Sequence, residues 1–341
     1  MIDMFETRFM LRMLEQRKPP RTFLLDLFFN DTETSLSRHV DIDIIDGQRR
    51  LAPFVNPRNQ GTLVERRGYT TRSFTPPYVK PKMVTEAEDF LNRQPGEHIY
   101  MGNVTSGQLA AQRLGRDQAE LDDMITRREE WMAAQALDGG VINVVGEGVD
   151  AEIDFRMPAN HIVNLSGADL WDDAGDPTAD LREWRRRTSQ RSGLAANRAV
   201  IGADVEDALL NNEKFQSQLD VRRFNQVGEV RMQEMADMGA RLVAVLSGGF
   251  EIWAYDEWYV DPETGDEEPM VPRDKVFVGS TQARATRHYG AIRDVRAMAS
   301  VPRFPKSWIT EDPSERWLML QSAPLVCMHQ SGAFLTASVV S

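Results

Sequence analysis

Between Ser106 and Asp138 the sequence carries one helical pattern long enough to set the scale of everything around it. Apolar Leu114, Leu121, Ile125, Met132 and Ala136 recur at steps of seven and four, Thr105 with Gln108 forms a capping box ahead of the run, and Gly139-Gly140 closes it. At 1.5 Å per residue, about 30 residues make a rod of roughly 45 Å. One face of that rod must be covered by the rest of the chain.

Composition allows such a cover. The 341 residues are 41% hydrophobic and 27% charged, the proportions of a globular chain of two domains or of one with a large insertion. The single cysteine, Cys327, excludes a disulfide framework and a cysteine-based zinc cluster, and fits a reducing interior. No stretch reaches the roughly 18 to 20 uninterrupted apolar residues of a bilayer span, so the reading is a soluble, untargeted chain. With 40 basic and 52 acidic residues the formal charge is -12, the wrong sign for tight binding to naked nucleic acid.

Ahead of the long helix the pattern is extended. Residues 1–20 read as an N-terminal arm ending at Lys18-Pro19-Pro20, and Thr22 is positioned to cap a short apolar helix from Phe23 to Phe29. Val40 to Ile44 alternates apolar and polar with period two, and a second strand is expected over Thr62 to Phe74, after the turn-forming cluster from Asn56 to Gly61. The two predict a long, unusually polar two-stranded arm. An isolated hairpin is marginal in water, so this one should rest on something else, and another chain is one answer. Thr85 with Glu88 predicts the start of a short helix.

Behind the long helix, Val141 to Val145 and Val149 to Met157 predict a hairpin around Gly146-Glu147-Gly148. From Asp176-Pro177 helices and strands alternate: helices over 178–191, 205–211 and 230–238, and strands over 198–202, 241–247, 250–255 and 275–279. Two further strands are expected, Arg316 to Met328 and Phe334 to Val340.

Chemistry-bearing motifs are weak. Gly146-x-Gly148-x-x-Ala151 matches a dinucleotide fingerprint only superficially, because a strand and not a helix follows it. Asp41, Asp43 and Asp46 fail calcium-loop spacing, and the carboxylates from Asp261 to Glu268 read as a solvated hairpin tip. His39, His98, His161, His288 and His329 form no metal-binding pair, and neither a serine-hydrolase elbow nor a phosphate loop occurs. Cys327 sits among apolar residues, where a thiol is more often packing than nucleophile. The basic helix carrying Arg182, Arg185, Arg186, Arg187 and Arg191 reads first as a solvated face with local pairs, with intersubunit pairing and nucleic-acid contact as the other readings.

Three strings carry a resemblance: VERRGYTTRSFTPPYVKPK from Val64 to Lys82, VGSTQARATRHYGAI from Val278 to Ile292, and RFPKSWITEDPSERWLMLQSAPL from Arg303 to Leu325. In order and spacing they resemble the major capsid proteins of lambda-like tailed phages, the family of the phage lambda head protein E. The resemblance implies an α+β, Hong Kong-97-like capsid fold. Its parts would be an N-terminal arm and short helix over 1–38, an E-loop over 39–84, a P domain over 85–177 with its spine helix at 106–138, an A domain over 178–300, and a C-terminal return to the P domain over 301–341. The implied function is a virion shell protein, not an enzyme, with no catalytic, cofactor or metal site, that encloses double-stranded DNA and touches it only weakly and non-specifically.

Expected partners are many copies of the same chain in hexamers and pentamers, a separate scaffolding protein, because the sequence leaves no room for a scaffold segment before the arm, a portal, and a decoration protein such as lambda-like shells often add. No membrane partner is expected, and assembly would take place in the host cytoplasm. Arg66 and Arg67 are the expected intersubunit contacts, with Phe74, Tyr78, Lys80 and Lys82 beside them. Two other readings stand next to this one: the shell of a cellular nanocompartment with the same fold, and an α/β hydrolase or nucleotide-binding enzyme using the 178–300 unit.

Overall fold

A computed structural model describes residues 6–16, 22–45, 69–86, 106–146, 148–217, 239–297 and 301–341, with 51, 52, 54–58, 60 and 63 between the second and third stretches. The long helix runs Ser106–Leu137, and its five periodic apolar residues are all buried. Gly139 and Gly140 end it with φ of 90° and 78°. A β-carbon on Gly140 would also lie 2.7 Å from that of Met157, so both backbone conformation and close approach demand glycine there.

The rod has two differently covered halves. Toward its N-terminus Leu114, Leu121 and Ile125 pack with Met10 and with Leu318 and Leu320. Met10 belongs to the helix Thr7–Gln16, so the N-terminal segment is in part a helix docked on the rod, held also by Gln118 donating to the Met10 carbonyl at 2.8 Å. Toward its C-terminus Met132, Ala133, Ala136 and Leu137 pack against the helix Phe23–Phe28 and the strand Pro324–Met328.

A six-stranded mixed sheet lies behind this second half. Its order is Ile162–Asn164, Phe334–Ser338, Lys275–Gly279, Arg198–Ile201, Phe250–Tyr255, Ala240–Leu246. Period two divides its residues between two cores. Trp253, Tyr255 and Phe277 face the rod and Phe23, whereas Ile252, Ala254, Val276 and Val278 face Leu181, Trp184, Val205 and Leu209 on the helices Pro177–Ser192 and Ala203–Asn211.

Two three-stranded sheets complete the body. One pairs Asp31–Thr34 and Pro324–Met328 with a central Ala285–Tyr289, and the other pairs Phe304–Thr310 and Lys82–Glu86 with a central Glu315–Gln321.

Several expectations change. Thr85 does not cap a helix: it lies in the strand Lys82–Glu86, opposite Arg316, because ladder bonds to the neighbouring strand satisfy the backbone that a cap would have served. Glu88 lies outside the described residues. Of the strand expected over Thr62 to Phe74, Tyr69–Phe74 is present, and most of 61–68 is outside the described residues. Arg316 to Met328 is two strands, Glu315–Gln321 and Pro324–Met328, which part at Ser322-Ala323 and join different sheets. The last strand, Phe334–Ser338, pairs with Lys275–Gly279 within the six-stranded sheet. The helix expected over 230–238 also lies outside the described residues.

Candidate assembly surfaces

The two-stranded arm leaves the body at a firmly built base. Val40–Ile45 pairs antiparallel with Tyr69–Phe74, Val40 and Ile42 are buried in the main core, and the Phe74 ring lies 6.0 Å from that of Phe155. Arg72 donates to the Asp154 carbonyl at 2.9 Å and meets its carboxylate at 3.5 Å. Beyond this base Leu51, Phe54 and Leu63 are each more than nine-tenths exposed.

The residues expected at intersubunit contacts divide between places. Arg66 and Arg67 lie outside the described residues. Phe74 sits in the arm's base. Tyr78 and Lys82 each touch the strand Glu315–Gln321: the Tyr78 hydroxyl donates to Gln321 and accepts from the Arg293 amide at 3.3 Å, and Lys82 Nζ stands 4.7 Å over the Trp317 ring. Burial raises the Tyr78 pKa. Lys80, between them, is exposed.

Sequence reasoning missed the polar groups that hold the rod in place. Arg303 donates to Asp122 at 2.8 Å, to Glu129 at 2.6 and 3.1 Å and to Thr126 at 3.2 Å, while Tyr289 donates to Glu129 at 3.1 Å. Burial opposes the Arg303 charge, but Glu129, Tyr289 and Asp122 together outweigh it, and the guanidinium pKa is raised. Glu130, one residue along, does what Thr22 was expected to do. Thr22 makes no side-chain cap bond, and the Glu130 carboxylate accepts instead from the amides of Leu24 at 2.7 Å and Leu25 at 3.2 Å.

Burial drives the Glu130 pKa up to about 7 against the opposing pull of those two amides and the Tyr255 hydroxyl, and the nearby Asp26 charge adds to the rise. A carboxyl with a raised native pKa keeps its proton where the unfolded chain has lost it, so stability falls as pH climbs from about 4.5 to about 7. Glu130→Gln should therefore gain on the wild type across that window, by up to about 1.4 kcal/mol per pH unit, in denaturant melts at a series of pH values.

Other motifs take ordinary structural places. Gly146 and Gly148 sit at the turn between Val141–Gly146 and Val149–Asp154, and Asp261 to Asp266 forms the tip of the hairpin Trp258–Val260 and Glu267–Pro269. On the basic helix Arg187 pairs with Glu183 four residues before it, and Arg185 lies 4.8 Å over Phe250 and donates to the Ala196 carbonyl. Among the described residues no group of three or more His, Cys, Asp or Glu is placed to hold a metal ion. Cys327 is buried, and burial pushes its thiol pKa up. It should resist N-ethylmaleimide at pH 8 in the native chain and react fully in denaturant; rapid native labelling would contradict its packing.

A long helix crossing a mixed sheet, with a two-stranded arm projecting from the body, defines a Hong Kong-97-like subunit of a tailed-phage shell. The structure superposes on that of a prophage capsid protein from Escherichia coli CFT073 with a TM-score of 0.73 at 21% identity, over 98% of this chain and 99% of that one. It also matches the capsid of Ralstonia phage GP4 at a TM-score of 0.53 and 12% identity, over 96% and 93% of the two chains. Among curated relatives, the major capsid protein of Enterobacteria phage P21 is 31% identical over 354 residues, and that of Escherichia phage lambda 28% identical over 355; both alignments take in 99% of this chain and 100% of the relative. The family model for phage major capsid protein E matches residues 6–339. The chain belongs to that family and is the major capsid protein of a tailed phage.

Proposed function

We propose that this chain closes into an icosahedral shell of hexamers and pentamers around double-stranded DNA, with each arm lying across a neighbouring subunit. One observation carries the reading: an arm whose base is fixed in its own core ends in Leu51, Phe54 and Leu63, which have no cover within the chain. Apolar side chains presented this way gain from burial only against another molecule, at roughly 25 cal/mol per Å² of apolar surface covered. Membership of a capsid family makes that molecule a further copy and favours the phage shell over a nanocompartment or an enzyme.

Within this reading residues 1–38 are the N-terminal arm, 39–84 the E-loop, 85–177 the P domain, 178–300 the A domain and 301–341 the C-terminal return, with Phe334–Ser338 crossing into the sheet of the A domain. Arg66, Arg67, Phe74, Tyr78, Lys80 and Lys82 are the intersubunit contacts. Assembly in the host cytoplasm uses a separate scaffolding protein and a portal, and a decoration protein is a further partner. The charge of -12 keeps packaged DNA from adhering to the inner wall. Weak individual contacts summed over many copies allow errors to be corrected and the finished shell to last.

Negative-stain imaging of the full chain produced with its scaffold tests the proposal. Closed particles of uniform diameter are expected; discrete small oligomers under all conditions would overturn it.

A further inference from the structure

The helix Pro177–Ser192 divides its arginines. Arg187 is matched by Glu183 four residues before it. Arg182, Arg185, Arg186 and Ser189 fall at steps of three and four, on one side, and with Ala195 and Ala196 they line an open cleft of about 410 Å³. Arg185 is held in place there: it lies 4.8 Å over the Phe250 ring and donates to the carbonyls of Ala196 at 3.3 Å and Ser247 at 3.4 Å. All three partners are neutral. Among the described residues no carboxylate pairs with Arg185 or Arg186, and partial burial lowers the Arg185 pKa with nothing charged to oppose it. A cation drawn out of water without a counter-charge is unfavourable, and an anion brought to the cleft relieves that cost.

The same chain carries a knob of the opposite charge. Between Trp258 and Pro272 stand five carboxylates, Asp261, Glu263, Asp266, Glu267 and Glu268, and no lysine or arginine. At the base of the knob Trp258–Val260 pairs with Glu267–Pro269, Tyr259 packs against the main core, and its hydroxyl donates to Glu268 at 2.6 Å. Bonds of its own close the tip. The Gly265 amide donates to the Asp261 carbonyl at 2.8 Å, the Glu263 amide to the Asp261 carboxylate at 2.8 Å, and the Asp266 amide to the Thr264 hydroxyl at 3.2 Å. A shape set in advance lowers the ordering cost of binding. Glu263, at the apex, is exposed, and its carboxylate has no partner among the described residues.

We propose that the arginine cleft of one copy receives the tip 261–266 of a second, with the Glu263 carboxylate set between Arg185 and Arg186. This rests on the shell reading above and adds a charged seam to it. A DNA duplex would call for a run of cations along its phosphates, and on this helix Asp180 and Glu183 interrupt the run; a single cleft with two uncompensated guanidinium groups suits a carboxylate on a firm knob instead. A knob in one place on the subunit and its receptor in another make a head-to-tail contact, the kind that closes into rings.

Cross-linking in assembled particles of the full chain tests it. Gln190→Cys at the cleft and Thr264→Cys at the tip keep every charge, and buried Cys327 stays out of reach of a short bismaleimide. The double variant should give a ladder of covalently joined chains, and each single variant should stay a monomer. A double variant that yields only monomers, or links only within one chain, would overturn the assignment while leaving the shell reading intact. As an independent arm, Arg186→Glu and Glu263→Arg should each raise the concentration needed for assembly by roughly tenfold with the melting temperature of the subunit unchanged, and the two together should restore it. Normal assembly by both single variants, or no recovery in the pair, would overturn the assignment. So would normal particles of Arg186→Glu that retain less DNA, which would give the cleft to phosphate. A wild-type chain that forms no particles would overturn the shell reading, and this one with it.

Discussion

Excising residues 47–67 and joining the two strands through a short glycine-serine turn should leave a subunit that melts within about 2 °C of the full chain and yet closes no shell. The flanking strands must stay: Val40 and Ile42 are buried in the main core, and Phe74 packs on Phe155, so a deletion reaching them would damage folding and confuse the two effects. Beyond that base the apolar side chains Leu51, Phe54 and Leu63 contribute nothing to their own fold, because they are exposed in it. A shift of about 2 °C in a chain of this length corresponds to roughly 1.5 kcal/mol. Calorimetry and electron microscopy of the same preparation check both halves. Shells of normal size would show that the arm is dispensable, and a collapse in melting temperature would show that it belongs to the subunit core.

Arg303→Met should have the largest effect on the subunit itself. Side-chain exposure at Arg303, Asp122 and Glu129 is 15%, 11% and 6%, so removal of the guanidinium takes from two largely buried carboxylates the cation they share. Breaking a buried ion pair by deleting one partner costs about 3 to 5 kcal/mol, most of it the uncompensated charge that remains. Chemical denaturation should show a loss of that order. Adding Asp122→Asn and Glu129→Gln to Arg303→Met should recover a substantial part, because residues in one network are not additive. A loss below about 1 kcal/mol for the single variant would mean that the rod is held by its apolar face alone.

Much of the fold could be read from local periodicity. The rod follows from apolar steps of seven and four, its end from Gly139-Gly140, the strand at Val40 from period-two alternation, and those at Phe250 and Lys275 from short apolar runs. Thr85 shows the limit of such signals. A threonine three residues before a glutamate marks helix starts by its local chemistry, but pairing of Lys82–Glu86 with a strand some 230 residues later in the chain decided the outcome.

The polar groups were invisible for the same reason. Glu130 caps a helix 106 residues before it and Arg303 closes on a carboxylate 181 residues before it, and no local pattern announces either. Trp308 and Trp317 are close in sequence, yet their joint place on an open face depends on register and on which side the rod covers, neither of which composition records. Of the expected contact residues, Tyr78 and Lys82 each touch that sheet, at Gln321 and at Trp317, and Phe74 lies beside Phe155 at the arm's base.

Sedimentation velocity of the unmodified full chain over a wide range of concentrations, with its scaffold present, bears most directly on the claim that the subunit is completed only by its neighbours. Above a threshold concentration a sharp boundary of very large particles is expected beside free subunits, with little between them. A single compact species of one chain's mass persisting to the highest concentration would contradict it.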